Sequence, residues 1–164
     1  MDRDDEHRGV GGVSLVGNVL FGCDDEVARW VAQRIPSMTL DGSERALGVW
    51  IGGRLGAGVV YAKWNGVHCE ASIAAEPGVA WASRAVLRAL FYYPFVTMGC
   101  EAVSVAVAAS NLPSLNLATK LGFVLEAIIA FAAPDGGPLL VLKMYRGQCR
   151  WIEDGQGEQR AAAT

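Results

Sequence analysis

The sequence predicts an α/β (α+β) domain, a mixed and mostly antiparallel sheet covered by helices. Three observations carry that expectation. The chain has 164 residues, the size of one domain with a full core. Hydrophobic residues make up 52% and charged residues 19%, with a mean hydropathy of +0.26, which is apolar enough to fold alone and too apolar for wholesale disorder. The apolar pattern also switches along the chain between the period of a strand and that of a helix, giving the order β-α-β-β-β-α-β-α-β-β.

Val13–Phe21 alternates as a strand. Asp24 then offers an N-cap for a helix over Asp25–Ile35, with acids at its positive end, Val27, Val31 and Ile35 at helical spacing, and Pro36 to stop it. Ala46–Ile51 and Ala57–Trp64 are apolar strands around the turn-prone Gly52-Gly53-Arg54-Leu55-Gly56, and Asn65-Gly66 is a strong hairpin signal. Three antiparallel strands therefore run from about Ala46 to Ala75. Trp81–Phe91 pairs Val86 with Leu90 and Leu87 with Phe91 at i,i+4, and Tyr93-Pro94 closes that helix. Ala102–Ala109 alternates valines with small residues as a strand. Asn111 caps a helix with Pro113 in its first turn and Gly122 at its end. Phe123–Ala133 and Leu139–Arg146 flank Pro134-Asp135-Gly136-Gly137-Pro138 as a last hairpin.

No repeat or linker divides the chain, so residues 1–12 and 153–164 read as flexible tails around a single domain, residues 13–152. The net charge is −3, but the acids concentrate in the tails. Met1–Arg8 and Glu153–Thr164 hold seven acids against three bases, leaving eleven bases against ten acids in the body. That balance argues against nucleic acid as a partner. Cysteines 23, 69, 100 and 149 lie far apart with only His7 and His68 as further soft ligands, which argues against a metal site and against a disulfide framework. The acidic start is the reverse of a signal peptide, and no apolar run approaches the roughly 18 residues of a membrane span. The expectation is a soluble protein of the cytoplasm.

The element order, combined with Asn111-Leu112-Pro113-Ser114 leading into Lys120-Leu121-Gly122-Phe123 and Glu126, resembles the GNAT superfamily of acyl-CoA-dependent N-acetyltransferases. The similarity spans about Val13 to Ile152. With Tyr145 and Cys149-Arg150-Trp151 after the last hairpin, it looks most like the branch of ribosomal-protein N-terminal acetyltransferases and their phage and prophage relatives. The resemblance implies the GNAT fold, with central strands Val67–Ala75 and Ala102–Ala109 splayed apart and the pantetheine arm of acetyl-CoA lying in the gap like an added strand. Ala71, Ile73, Ala74 and Ala75 would supply backbone groups, and Ala106 and Ala108 would leave room. On pattern alone these alanines read equally as residues packed under a helix.

The resemblance also implies a pyrophosphate site at the start of the Trp81 helix, where unpaired N–H groups favour anions. There the chain departs from the family loop. It reads Glu76-Pro77-Gly78-Val79-Ala80-Trp81-Ala82-Ser83-Arg84, with one flexible glycine and an acid that would repel phosphate if turned inward. Ala82, Ser83 and Arg84 are the expected phosphate-binding residues, against a solvated-face reading of Arg84. Acyl transfer to an amine needs the ammonium deprotonated, the carbonyl polarised and the thiolate reprotonated. Glu70 is the expected base, against a solvent-facing strand glutamate, and His68 shares its face as an understudy. Asn111 would cap its helix and also contact pantetheine. Ser114 stands where the N-terminal-acetyltransferase branch has a serine suggested as the acid, and Ala118 stands where many relatives have a tyrosine.

The function implied is direct transfer of an acetyl group from acetyl-CoA to a primary amine, on a protein N-terminus, a lysine or a small molecule. The partners expected are acetyl-CoA and that acceptor, with no membrane and no metal, and a homodimer left open. The degraded phosphate loop keeps a second class in view, a non-catalytic binding or phage virion-associated module on the same fold. Transfer to a nucleobase is a third, opposed by the near-neutral body.

Overall fold

The computed structural model describes residues 12–152, so the expected tails fall outside the described residues apart from Gly12. The first correction comes at the start. Val13–Phe21 is not one strand but a hairpin of β1 (Ser14–Val16) and β2 (Val19–Phe21), with Val16 opposite Val19. Gly17 adopts φ 59° in the two-residue turn, a conformation a side chain would disfavour.

Helix α1 spans Asp24–Ala32 and ends three residues short of Ile35. Its N-cap position is Cys23, without a side-chain cap. Asp24 instead lies inside the first turn, and its carboxylate accepts the Ala46 N–H at 2.7 Å, tying the helix to the sheet. Strands β3 (Arg45–Ile51), β4 (Arg54–Ala62) and β5 (His68–Ala75) form the expected antiparallel meander. The turn between β3 and β4 is narrower than predicted, only Gly52-Gly53, because a bulge at Val49/Trp50 absorbs the remainder. At the next turn the Asn65 side chain accepts the N–H groups of Val67 and His68, at 3.0 and 2.8 Å.

The second helix also starts later than predicted. Trp81 precedes it as a buried core residue, and α2 spans Arg84–Tyr92. Ser83 is its N-cap, extended at ψ 157°, with its hydroxyl accepting the Val86 N–H at 3.2 Å. Nor does Pro94 end the run. It falls in the opening turn of a π-helical segment, Tyr93–Thr97, and the carbonyl four residues before it, that of Leu90, accepts the Tyr61 hydroxyl at 2.6 Å in place of the missing N–H. Strand β6 (Ala102–Ala108), helix α3 (Leu112–Leu121), and strands β7 (Val124–Ile129) and β8 (Leu139–Tyr145) complete the chain. Asn111 caps α3 through Ser114 N–H at 3.3 Å, and Gly122 closes it at φ 111°, both as expected.

The eight strands form one sheet in the order β1-β2-β3-β4-β5-β6-β8-β7. Every neighbouring pair is antiparallel except β5 and β6. One face carries the main core, where Leu87, Leu90 and Phe91 of α2 and Ala118 and Leu121 of α3 pack on Val59, Tyr61, Cys69, Ala71, Val103 and Val105. The other face is covered by α1 over β3 and β4, with Val27, Ala28 and Val31 against Ala46, Val60 and Ala74. Gly48 and Gly58 lie opposite each other under α1. A Cβ on Gly58 would come within 2.8 Å of Val31 Cγ2, so the helix sits at backbone distance.

Candidate functional site

The sheet opens at its parallel pair. β5 and β6 are bonded only at His68 with Ala102, Cys69 with Val103 and Glu70 with Ser104. Beyond Glu70, β5 continues to Ala75 and β6 to Ala108, each paired only on its outer side, to β4 and to β8. The inner edges of Ala71–Ala75 and Val105–Ala108 therefore face a wedge with backbone groups that no neighbouring strand uses, a demand that buried main chain must satisfy somehow. Small side chains border it: Ala71 and Ala74 are buried, Ala106 is exposed and Ala108 half-buried. At its root, Ala71, Ile73, Trp81, Val103 and Phe123 help line an apolar cavity of about 20 Å³.

The loop from β5 to α2 lies at one end of the wedge. Its Glu76 carboxylate is gripped by Arg34, whose Nε and Nη2 donate to the same oxygen at 3.1 and 2.5 Å. Arg34 in turn stacks on Trp30 of α1, 3.6 Å from the ring centre. Glu76 is thus drawn toward α1 and held there in an ion pair. Gly78 takes φ 76° in the turn. Ala82, Ser83 and Arg84 are exposed at the α2 N-terminus, with the Ser83 hydroxyl engaged in capping and Arg84 as the first helical residue.

On the α1 side of the sheet, where α1 itself does not reach, the fork carries a polar cluster. Ala74 belongs to the α1 core and Cys69 and Ala71 to the opposite one, so His68 and Glu70 face the open half beside α1. Glu70 forms an ion pair with Lys63 at 3.3 Å. His68 Nε2 lies 2.7 Å from the hydroxyl of Ser104, a buried polar residue of β6. Lys143 of β8 is opposite Ser104 and pairs with Glu126, the bulged residue of β7, at 3.5 Å. Burial and the nearby Lys143 cation hold the His68 imidazole below its ordinary pKa, with Glu70 opposing them. Sequence reasoning gives His68 only as an understudy to Glu70 and misses Ser104. The available signal was a histidine two residues before a strand glutamate.

Ser114 sits half-buried in the first turn of α3 and Asn111 is exposed before it, both following β6 from the wedge. Tyr145 is 45% exposed at the end of β8. Trp151 stacks on Phe91 and donates to the Leu121 carbonyl at 2.8 Å, which packs it, partly buried, against the main core. Among the described residues no group of His, Cys, Asp and Glu is placed to hold a metal ion, no helix is long and apolar enough to cross a membrane, and all four cysteines are free.

No family model matches the chain. No curated protein matches it either. Solved structures do. The N-acetyltransferase PseH of Campylobacter jejuni is 15% identical with a TM-score of 0.51, over 65% of this chain and 70% of PseH. The same enzyme in complex with acetyl coenzyme A gives a TM-score of 0.50. A mutant form of the spermidine N-acetyltransferase SpeG from Vibrio cholerae is 20% identical with a TM-score of 0.56, over 87% of this chain and 86% of SpeG. The fold of this chain is therefore the one N-acetyltransferases use, the GNAT fold.

Proposed function

We propose that the protein is an acetyl-CoA-dependent N-acetyltransferase that transfers the acetyl group directly to a primary amine. The observation that carries this reading is the parting of β5 and β6 after Glu70. A wedge lined by unpaired strand edges suits an extended amide chain such as pantetheine, bonded through the backbone of Ile73, Ala74 and Ala75. The diphosphate would then meet Ala82, Ser83 and Arg84, where helix N–H groups and one cation favour anions. Asn111 and Ser114 border the thioester end, and Glu70 faces the acceptor side. In this scheme Glu70 draws in the ammonium and removes its proton, the free amine attacks the thioester carbonyl, and the departing thiolate takes a proton from Ser114 or solvent, which is replenished by the surplus N–H proton of the adduct.

The acceptor class is a protein N-terminus, a lysine or a small-molecule amine. The name of SpeG, a spermidine N-acetyltransferase, favours the small molecule, while the Asn111 to Glu126 stretch favours the ribosomal-protein and phage-like branch. The free cysteines suit a cytoplasmic location. A second copy is the protein partner we favour, on the outer edge of β7, which ends the sheet and exposes Val124, Leu125, Ile128 and Ile129. Sedimentation that gives a monomer at every concentration would remove it.

Acetyl-CoA at 100 times its Kd would add about 2.7 kcal/mol of stability, a Tm rise of about 5–10 °C for a domain of this size. Labelled acetyl transfer to spermidine, to a peptide with a free N-terminus and to cell extract, read by mass spectrometry, tests the activity. A Tm rise without transfer to any acceptor would favour a non-catalytic binding module, and transfer to nucleobases alone would favour the DNA-modifying alternative. Neither a Tm rise nor transfer would overturn the reading.

A further inference from the structure

The polar cluster at the fork contains more proton chemistry than one carboxylate. Glu70 is half-buried and paired to Lys63 at 3.3 Å, and a carboxylate is in general a weaker base than an imidazole. A base works best when its pKa lies near the operating pH, and the side chain whose ordinary pKa comes nearest to neutrality, an imidazole, lies two residues away on the same face. His68 is also held in place, because Nε2 is within hydrogen-bond distance of a hydroxyl that β6 buries.

Resting on the acetyltransferase reading above, we propose that His68, oriented by Ser104, is the resting place of the proton that Glu70 takes from the acceptor amine. In the neutral ring Nε2–H donates to Ser104 Oγ, which leaves the Nδ1 lone pair to accept a proton. The ammonium gives its proton to the Glu70 carboxylate, which passes it to His68 Nδ1 and returns to its anionic form. The amine lone pair then forms the new C–N bond, the surplus N–H proton of the adduct passes to sulfur as the C–S bond breaks to give amide and CoA thiol, and the imidazolium releases its proton to solvent after the product leaves. Ser104 is a positioning residue, since it acts through the ring.

The groups around His68 set the sign of the pH dependence. Glu70 on its own strand favours the imidazolium, and Lys143 from β8 opposes it. Lys143 is itself tempered by Glu126 and Glu70 by Lys63, and the Tyr145 phenol lies on the same face, opposite Ala102. With burial, the largest influence, added, the net direction is downward, so the acid limb of the rate profile should lie on the low side of the ordinary histidine pKa.

The test follows CoA thiol release from acetyl-CoA with spermidine and with a short peptide as acceptors, from pH 5 to pH 9, alongside an NMR titration of the His68 ring in the intact protein. His7, the only other histidine, is removed from the spectrum by His7→Gln. The wild type should show one acid limb in kcat/KM, coincident with the His68 titration. His68→Gln, which keeps a partner for Ser104, should lose that limb and roughly 10-fold to 100-fold of kcat with unchanged CoA affinity. Ser104→Ala should lose less, with KM for acetyl-CoA unaffected and the limb displaced. A His68 titration that does not coincide with the limb overturns the relay, and that measurement needs no variant that might misfold. A wild-type profile and rate in folded His68→Gln overturns it equally. Absence of any turnover by the wild type with any acceptor would instead refute the acetyltransferase reading on which the relay rests.

Discussion

Arg34 of the segment after α1 and Glu76 at the end of β5 share one carboxylate oxygen, contacted at 3.1 and 2.5 Å by two guanidinium nitrogens. The pair joins the only helix on its face of the described sheet to the loop that leads into α2. Both side chains are about a third exposed, so the pair itself contributes only about 0.2–1 kcal/mol to stability. Its larger effect is on charge. Replacing Arg34 with Gln should release an anion beside the α2 N-terminus and weaken CoA about fivefold, with a marked salt dependence. Adding Glu76→Gln should restore the affinity. Calorimetric titration of the wild type, both single variants and the double variant checks the cycle.

Arg84→Ala should weaken CoA about tenfold or more while leaving a phosphate-free pantetheine fragment nearly unaffected, because the lost contact is charge-assisted and the strand-like contacts remain. Competition binding with both ligands decides it. Equal losses, or none, remove Arg84 from the site.

Glu70→Gln keeps size and hydrogen bonding but cannot take a proton, so turnover should fall by roughly 10²–10⁴. The deficit should shrink as pH rises and more acceptor is already neutral. Removal of the Glu70 charge also takes away the one influence that raises the His68 pKa, so the His68 titration should move to lower pH. Ser114→Ala should cost less, since solvent can protonate a good leaving group. Steady-state rates between pH 6 and 9, with wild-type turnover in Glu70→Gln as the refuting outcome, check the assignment.

Gly58→Ala should destabilise the fold by about 1–3 kcal/mol. The new methyl would meet Val31 Cγ2 at 2.8 Å and Val27 Cγ1 at 3.1 Å, and a β-branched side chain in a helix has no free rotamer to retreat into. The expected Tm loss is several degrees by thermal melt. Gly17→Ala meets no neighbour and should cost only the strain of a positive φ.

The periodic stretches were legible because burial imposes its spacing on them. Val27 and Val31, Leu87 and Phe91, and Val103 and Val105 all lie on the core faces their periods implied. The ends were less legible. An alternating run from Val13 to Phe21 conceals a two-residue turn, since Gly17-Asn18 occupies the place of one more alternation. Ser83 outcompeted Trp81 as the start of α2 because a cap is a single hydrogen bond, invisible to a pattern of apolar residues. Pro94 looked like a stop but falls where a new helical turn begins. At the site, the strand carrying Glu70 was readable, and so was the Asn111 cap. The grip of Arg34 on Glu76 was not, because 42 residues separate them and no local rule relates the two. The bond between His68 and Ser104 depended likewise on the register of a parallel pair.

A wedge made of main chain carries almost no information in side-chain identity. Any residue small enough to stay out of the way supplies the same N–H and C=O groups, so substitutions along Ala71–Ala75 or Val105–Ala108 can accumulate without altering what the opening offers. Selection at such a place acts on the separation of two strands rather than on letters. An opening of this kind therefore asks little of the letters, and the chain shares its fold with structures to which it is only 15–20% identical.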